Sequence, residues 1–193
     1  METVTYAVHG RYATIEMNRP DVLNAMNEQM LRELLQALKQ AGESEADIVV
    51  LCGNGRGFSA GGDIKTMLNS VDNSGFAGVM DLISEVITTL YTLPKITISA
   101  IHGPAAGLGF SLALAADYVV AHFSAVLAMN FIGIGLVPDG GGHFFMEKRL
   151  GEAKAKQLIW SGEKLSADDA YKLGLADLVC DVDLKDAVQS LVS

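Results

Sequence analysis

ITISAIHGPAAGLGFSLALAA, residues 96–116, is the longest apolar stretch of the chain, and its interpretation governs that of its neighbours. A membrane-spanning helix needs about 20 uninterrupted apolar residues. Near its middle this stretch carries residues that a spanning helix does not tolerate there, namely His102, Gly103, Pro104, Gly107 and Gly109. We therefore predict a buried strand over 96–101, a tight turn, and a buried helix over 107–116.

The segments on either side alternate between strand and helix patterns. Alternating or short apolar runs predict strands at 5–20 (two strands that turn at Gly10), 47–53 and 117–123. Apolar residues at helical spacing predict helices from Asn27 to a stop at Gly42, over 76–93 ahead of Pro94, and from the capping residue Ser166 to Gly174. The recurring unit of strands and a helix, with no long linker, predicts an α/β fold, a layered spiral in a single domain spanning residues 1–193.

The composition is that of a globular protein with an acidic excess. Half of the 193 residues are hydrophobic, and the formal net charge is −9. No basic stripe is available to neutralise phosphates, which argues against nucleic acid or an anionic membrane as the partner. Main-chain amides could still hold a small anionic ligand. The chain does not start with the charged-then-apolar pattern of a secretory signal, so we expect a cytoplasmic protein.

Cysteine and histidine positions give no sign of a metal or redox centre. Cys52 and Cys180 are far apart and match neither a metal-ligand nor a redox spacing, and the four histidines have no such spacing either. We expect two reduced, buried thiols in a reducing compartment and no bound metal.

Two glycine-rich turns could supply main-chain hydrogen-bond donors. The first turn is GRGFSAGGDI (55–64), where small residues let a ligand approach the backbone closely. The second turn is HGPAAGLGFSLAL (102–114), where a helix begins around Gly107 and offers unpaired N–H groups. Facing each other, the two turns would form an oxyanion hole for a developing negative charge on a carbonyl oxygen. The alternative is that the small residues only allow close packing.

A third turn, GIGLVPDGGGHFF (133–145), places the lone carboxylate of Asp139 among apolar residues. Burial of a carboxylate raises its pKa, which would make Asp139 a better general base. The alternative is that Asp139 caps the helix predicted to start near Gly142.

Two other motifs are weaker. Residues 57–61 match the nucleophile-elbow pattern G-x-S-x-G at Ser59, but glycines follow the serine at once, where a helix should begin. GNGRG (53–57) resembles half of a dinucleotide-binding fingerprint, but the third glycine is at the wrong spacing.

Five motifs in order make the chain similar to a known family: NRPDVLNAM (18–26), GRGFSAGGDI, IHGPAAGLGFSLALAADYVVA (101–121), IGLVPDGGG and SGEKLSADDAYKLGLADLV (161–179). The chain resembles the enoyl-CoA hydratase/isomerase (crotonase) superfamily over nearly its full length. The resemblance implies a spiral of strand-strand-helix units and an acyl-CoA thioester substrate, with coenzyme A entering as part of that substrate and no permanently bound cofactor. It also implies a homo-oligomer, a trimer or a dimer of trimers.

The resemblance assigns roles to residues of the first two turns. It places the two oxyanion-hole N–H groups on Ala60 and Leu108. It places the coenzyme A site along the first turn and the segment before the helix predicted from Asn27, on Leu23, Ala25, Ala60, Gly61, Gly62, Asp63 and Ile64.

The chain departs from the hydratases of that family at two positions. Their two glutamates correspond here to Ser111 and Phe131, which we expect to line the substrate pocket instead. Asp139 stands where the isomerases of the family carry their single acid. Because adding water needs two acid/base groups and a double-bond shift needs one, we expect an isomerase that moves a C3 double bond to C2. The alternatives are a hydratase, another thioester-enolate enzyme, or a non-catalytic acyl-CoA binding protein.

The resemblance also implies several further helices that cover the acyl pocket and build the trimer. This chain ends at Ser193, about where that region would begin, so we expect the C-terminal helical region to be short or missing.

Overall fold

Short strands alternate with helices through residues 2–63 and 73–192, the ranges described by a computed structural model. The strands are β1 Val4–His9, β2 Tyr12–Met17, β3 Ile48–Gly53, β4 Ile96–Ile101, β5 Pro104–Ala106, β6 Tyr118–His122, β7 Val126–Ala128, β8 Lys164–Ser166 and β9 Leu178–Cys180. The α-helices are α1 Glu28–Glu43, α2 Asn73–Tyr91, α3 Leu108–Leu114, α4 Gly142–Leu150, α5 Glu152–Ser161, α6 Ala167–Leu173 and α7 Leu184–Val192. Short 3-10 helices span Pro20–Val22 and Ile132–Ile134.

A six-stranded sheet in the order β1-β2-β3-β4-β6-β9 forms the main layer. β1 and β2 are an antiparallel hairpin that turns at Gly10, whose φ of +66° suits a glycine. The remaining neighbours are parallel. Because parallel strands end at the same edge of a sheet, the segments that follow β2, β3 and β4 all emerge at one edge. The first and second glycine turns and the segment 18–26 therefore meet there.

A second sheet of three short strands, β5-β7-β8, lies beyond that edge. β5 pairs with β7 in parallel, and β7 pairs with β8 antiparallel. The sequence did not predict these strands, because each has only three residues and alternation cannot be detected over so short a run. The sheet holds β5 immediately before α3, so it fixes where the second turn begins.

The larger core cluster joins the main sheet to α1, α2 and α3, and a smaller cluster joins the sheet to α7. α1 begins at Asn27, whose side chain accepts the N–H of Met30 at 3.0 Å, and it buries one apolar face. The predicted stop at Gly42 is wrong by a residue, because the helix runs on to Glu43.

Most of the other predicted elements are confirmed with small shifts of boundary. The strand over 96–101 has the predicted bounds, and the helix predicted over 107–116 is the shorter α3. Ser166 caps α6 by accepting the N–H of Asp169 at 3.1 Å, and Gly174 ends that helix in a left-handed conformation. α2 starts at Asn73, three residues before the predicted 76.

Within the described ranges, no helix has both the length and the apolar character required to cross a membrane. The stretch 96–116 instead divides between β4, β5 and α3; the strand and the helix were predicted, whereas β5 lies where a turn was predicted.

Gly103 provides a test of how closely the main chains of the first and second glycine turns approach each other. A Cβ at Gly103 would lie 2.1 Å from the Arg56 carbonyl oxygen, and its φ is +50°. Gly10 has a similar φ of +66° but no neighbour within 4 Å of a Cβ. We expect Gly10→Ala to lower the free energy of unfolding by about 1–2 kcal/mol, the cost of a left-handed alanine. Gly103→Ala should lower it by at least about 3 kcal/mol, because overlap with main chain is added.

Urea unfolding followed by circular dichroism measures both variants. Equal losses in Gly103→Ala and Gly10→Ala would contradict the close contact between the turns.

Candidate active site

The first turn is held against the segment 18–26 by main-chain hydrogen bonds. The N–H of Ala60 donates to the carbonyl of Leu23 at 2.8 Å. Met26 N–H donates to the Gly61 carbonyl at 2.8 Å, and Asp63 N–H donates to the Met26 carbonyl at 2.9 Å. The two segments thus run side by side like a short piece of parallel sheet.

Asn24 is the central side chain of this arrangement, although its role was not predicted. It is fully buried, and both it and Leu23 have left-handed backbones, with φ of 53° and 52°. Its amide group donates to the carbonyls of Asn54 and Gly57, each at 2.9 Å. Asparagine tolerates the left-handed conformation better than most residues, which is the sequence signal that could have identified this position. The strained backbone is maintained because the side chain ties it to the first turn.

Arg19 and Asp63 form a largely buried ion pair beside these hydrogen bonds. The guanidinium Nη1 lies 3.0 Å from the Asp63 carboxylate, and the side chains are 22% and 15% exposed. The same Nη1 donates to the Ala25 carbonyl. Since Asp63 follows Gly62 directly, the pair fixes the end of the first turn against the segment 18–26.

The first and second turns are joined main chain to main chain. Phe58 N–H donates to the His102 carbonyl at 2.8 Å, and Ser59 N–H donates to the Pro104 carbonyl at 3.0 Å. A Cβ at Gly61 would lie 2.7 Å from the Ala106 carbonyl oxygen and 3.4 Å from the Leu108 nitrogen. The start of α3 therefore lies directly beside Gly61.

Ser59 is fully buried between the two turns and is not a nucleophile. Its hydroxyl donates to the Asn24 carbonyl at 2.8 Å and accepts the N–H of Gly61 at 3.1 Å. Both hydrogen bonds hold the turn together, so the nucleophile-elbow interpretation is excluded.

The structure corrects one predicted donor of the oxyanion hole. The Ala60 N–H is occupied by the Leu23 carbonyl and cannot donate to a substrate. In the described part of the chain, the N–H groups of Gly62 and Leu108 have no protein acceptor. Gly62, which lies two residues after Ala60 in the same turn, replaces it as the candidate donor. Leu108 is retained as the second donor. Both flank Gly61, so both lie where the two turns meet.

Asp139 lies in the third turn, next to α3. Its carbonyl accepts the Gly142 N–H at 3.0 Å and the Ser111 hydroxyl at 2.9 Å. α4 begins at Gly142 behind the N-cap Gly141, and no side chain caps it, so the helix-capping alternative for Asp139 is wrong.

The Asp139 carboxylate itself is poorly solvated. Its Oδ1 is buried and has no hydrogen-bond partner among residues 2–63 and 73–192. Burial raises the pKa of this carboxyl to about 6, although a hydrogen bond from its own main-chain N–H opposes the shift. A carboxylate with a pKa near neutrality is suited to accept and return a proton.

The remaining predicted site residues fall into three groups. Ser111 and Phe131 are buried beneath the turns, at 0% and 6% exposure, so neither presents an open surface to a substrate in this structure. Leu23, Ala25 and Asp63 are half-buried and Ala60 is exposed, and their contact with coenzyme A stays a prediction. Ile64 lies outside the described residues.

Two cavities differ in their relation to these turns. A cavity of about 230 Å³ lies beside the third turn, lined by Ser84, Ile87, Thr88, Tyr91, Gly140, Gly141, Phe144 and Phe145. A larger one of about 730 Å³ lies between the main sheet and α7, with His9, Glu16 and Lys185 among its lining residues. Gly62, Leu108 and Asp139 line neither cavity, but the smaller one is lined by Gly140 and Gly141, which follow Asp139 directly, so it is the candidate substrate cavity.

Across residues 2–63 and 73–192, no group of three or more His, Cys, Asp or Glu side chains could hold a metal ion. Cys52 and Cys180 are not joined in a disulfide, and burial raises the pKa of the Cys52 thiol to about 12. Neither thiol is therefore suited to act as a nucleophile.

Comparison with known proteins is consistent with this geometry. The sequence pattern of the family described as "Enoyl-CoA hydratase/isomerase" matches residues 9–192. The enoyl-CoA hydratase/isomerase YhaR of Bacillus subtilis is 60% identical over 177 residues, 92% of this chain and 69% of that protein. The 1,2-epoxyphenylacetyl-CoA isomerase of Escherichia coli is 36% identical over 198 residues, 99% of this chain and 75% of that protein. A crystal structure of an enoyl-CoA hydratase from Bacillus anthracis is similar with a TM-score of 0.93 at 28% identity, covering 98% of this chain and 75% of that one.

Replacing Asp139 should change how stability depends on pH. The folded chain holds the Asp139 proton with a pKa of about 6, against an ordinary value of 3.8. Between those values the folded chain keeps a proton that the unfolded chain releases, so stability is lost as the pH rises through this window. Asp139→Asn removes this loss. We expect the Tm of Asp139→Asn relative to wild type to increase from pH 4 to pH 7.

Asp81→Asn, on the exposed face of α2, is the control, and its Tm difference should stay constant over the same pH range. Differential scanning calorimetry measures both, and a constant difference for Asp139→Asn would contradict the raised pKa.

Proposed function

This chain belongs to the enoyl-CoA hydratase/isomerase family, and we propose that within it the protein is an isomerase that moves a C3 double bond of an acyl-CoA thioester to C2. The observation that carries the proposal is a buried, unpartnered carboxylate oxygen of Asp139 in the third turn. Ser111 and Phe131 stand where a hydratase of the family would carry its two acids. Named relatives include both hydratases and isomerases, so the choice between them rests on these side chains.

The thioester carbonyl would lie between the first two turns. Its oxygen accepts the N–H groups of Gly62 and Leu108, which have no acceptor in the described protein. These donors would become stronger as the oxygen takes on the charge of an enolate, which lowers the barrier to removing a proton from C2. Main-chain donors of this kind are compatible with a net charge of −9, because they need no basic patch.

Asp139 would carry the proton between two carbons. Its ionised carboxylate removes a proton from C2, and the electron pair of that C–H bond forms a C1–C2 double bond while the carbonyl oxygen takes the negative charge of the enolate. The enolate then collapses to form the C2–C3 double bond, and the electron pair of the former C3–C4 double bond takes the proton from Asp139 at C4. The carboxylate is regenerated and no other reactant is consumed, so one acid/base group suffices.

Water addition is disfavoured by the residues at the other two positions. The Ser111 hydroxyl already donates to the Asp139 carbonyl, and the Phe131 side chain has no polar group. Hydration would need a second group to activate water. The acyl chain would then extend toward the cavity of about 230 Å³ beside Gly140, whose lining is largely apolar and aromatic.

Replacing the proposed base should abolish turnover while leaving binding intact. We expect Asp139→Asn to lower kcat for isomerisation of a 3-enoyl-CoA by about 10²–10⁴, the usual contribution of a positioned acid/base group. Affinity for coenzyme A, measured by calorimetric titration, should change little. In wild type, kcat/KM should fall as the pH drops below about 6, because protonation of Asp139 removes the base.

Asp81→Asn serves as the control and should keep wild-type turnover. Undiminished isomerisation in Asp139→Asn would refute the role of Asp139. Faster hydration of crotonyl-CoA than isomerisation of a 3-enoyl-CoA by wild type would show a hydratase instead.

The Leu108 amide can be tested with proline, because Leu108 is the first residue of α3. Proline fits the first position of a helix and removes only a donor that the helix does not use. Leu108→Pro should therefore lower kcat about 10²–10³-fold more than Leu108→Ala, which loses the same buried side chain but keeps the N–H. Equal losses in the two variants would contradict a hydrogen bond from this amide to the substrate.

A further inference from the structure

Ser111 lies where α3 meets the third turn, and its hydroxyl has a choice of acceptors. The side chain is fully buried. Its Oγ is 2.9 Å from the Asp139 carbonyl oxygen and 3.4 Å from the carbonyl oxygen of Gly107. A serine hydroxyl has a single proton to donate, and the shorter distance assigns it to Asp139. The serine is thus tied to the main chain of the proposed base.

The third turn leaves room at position 111 only for a small side chain. A Cβ at Gly142 would lie 2.5 Å from the Ser111 Oγ, and a Cβ at Gly140 would lie 3.3 Å from the Ser111 Cβ. The glycine main chain therefore lies directly against the serine. A longer side chain at 111 would push the turn, and Asp139 with it, away from α3.

The same helix carries a proposed hole donor. Leu108 and Ser111 are three residues apart on α3, so they share one face of the helix. A Cβ at Gly140 would also lie 2.5 Å from the Leu108 Cδ1. Both residues touch the third turn, and the rigid helix sets the spacing between the Leu108 amide and the turn that bears Asp139.

We propose that Ser111 is a positioning residue, whose hydroxyl and small size hold Asp139 in register with the Leu108 amide and so favour proton transfer within the substrate over addition of water. This inference rests on the proposed function, because Asp139 and Leu108 are its acid/base group and its hole donor. Ser111 acts through the main chain of Asp139 and does not touch the substrate. A carboxylate side chain at position 111 would therefore not fit while the third turn keeps its present position.

Ser111→Ala and Ser99→Ala form a matched pair. Ser99, in β4, is also fully buried, but its hydroxyl has no partner in the described protein. We expect Ser111→Ala to lower kcat for a 3-enoyl-CoA about tenfold, the scale of one lost hydrogen bond, with KM within about twofold. Ser99→Ala should stay within about twofold in both. A wild-type kcat in Ser111→Ala, or an equal loss in Ser99→Ala, would overturn the proposal.

Ser111→Glu tests the argument from size. We expect isomerisation to fall more than about 100-fold, the scale of a misplaced catalytic group, with no gain in hydration of crotonyl-CoA. Retained isomerisation or newly acquired hydration would overturn the mutual exclusion. Circular dichroism checks the fold, and if Ser111→Glu does not fold, the alanine pair still decides whether Ser111 positions Asp139.

A measurement without turnover separates this inference from the proposed function. The Asp139 carboxyl is titrated by NMR in ¹³C-aspartate-labelled protein, with Asp139→Asn for assignment. α3 has no titratable side chain, and those on the adjoining helices are Asp81, Glu85 and Tyr91 on α2 and His143, Glu147, Lys148 and Arg149 on α4. The causes of the Asp139 pKa are burial and its own N–H, and include none of these groups.

We expect the Asp139 pKa to move from about 6 toward 3.8 in Ser111→Ala, because the loosened turn admits water, and to stay in place in Ser99→Ala. A wild type that turns over no 3-enoyl-CoA, combined with this shift, would refute the proposed function and support the positioning role. An active wild type with unchanged kcat and pKa in Ser111→Ala would refute the positioning role alone.

Discussion

The contact between the main chains of the first and second turns is the constraint on which the rest of the structure depends. Gly57, Gly61, Gly103 and Gly109 each lie so close to the opposite turn that a Cβ would fall within 3 Å of it. Any side chain there would separate the turns. Their contact brings the Leu108 nitrogen beside Gly61, the residue before Gly62, and it lets α3 start close to the third turn. These motifs are therefore rich in glycine first because the two turns must approach each other closely, whatever chemistry the site performs.

Poor solvation would affect the Asp139 carboxylate and the two main-chain amides of the candidate site differently. Around Asp139, burial destabilises the charged carboxylate and increases its basicity. In the proposed function, poor solvation around the amides would strengthen each hydrogen bond to a charge that appears only during reaction. The same environment would then make proton removal easier and the proposed enolate more stable. The chain reaches this arrangement with one ionisable side chain and main-chain dipoles, which suits a protein with few cations.

Periodicity and turn chemistry predicted the elements whose local signal agrees with their packing. The hairpin at Gly10, the strand over 96–101 and the cap at Ser166 are of this kind. Errors arose where the outcome depends on distant residues. The resemblance placed one donor on Ala60, but the Leu23 carbonyl, brought in by a separate segment, occupies the Ala60 amide, so Gly62 becomes the candidate donor. The importance of Asn24 likewise depends on carbonyls thirty and more residues away.

Almost every pairing in the main sheet joins segments that are distant along the chain. β6 pairs with β9, and the bridge between the first two turns joins Ser59 to Ala105. Contacts of this type form late and slowly in folding, because the intervening chain must lose its freedom first. During synthesis, the first turn can pair with the segment 18–26, but its contacts with the second turn must wait until that turn has been made. In the proposed function, the hole needs both turns in place, so binding of a thioester by this chain would report on completion of the fold.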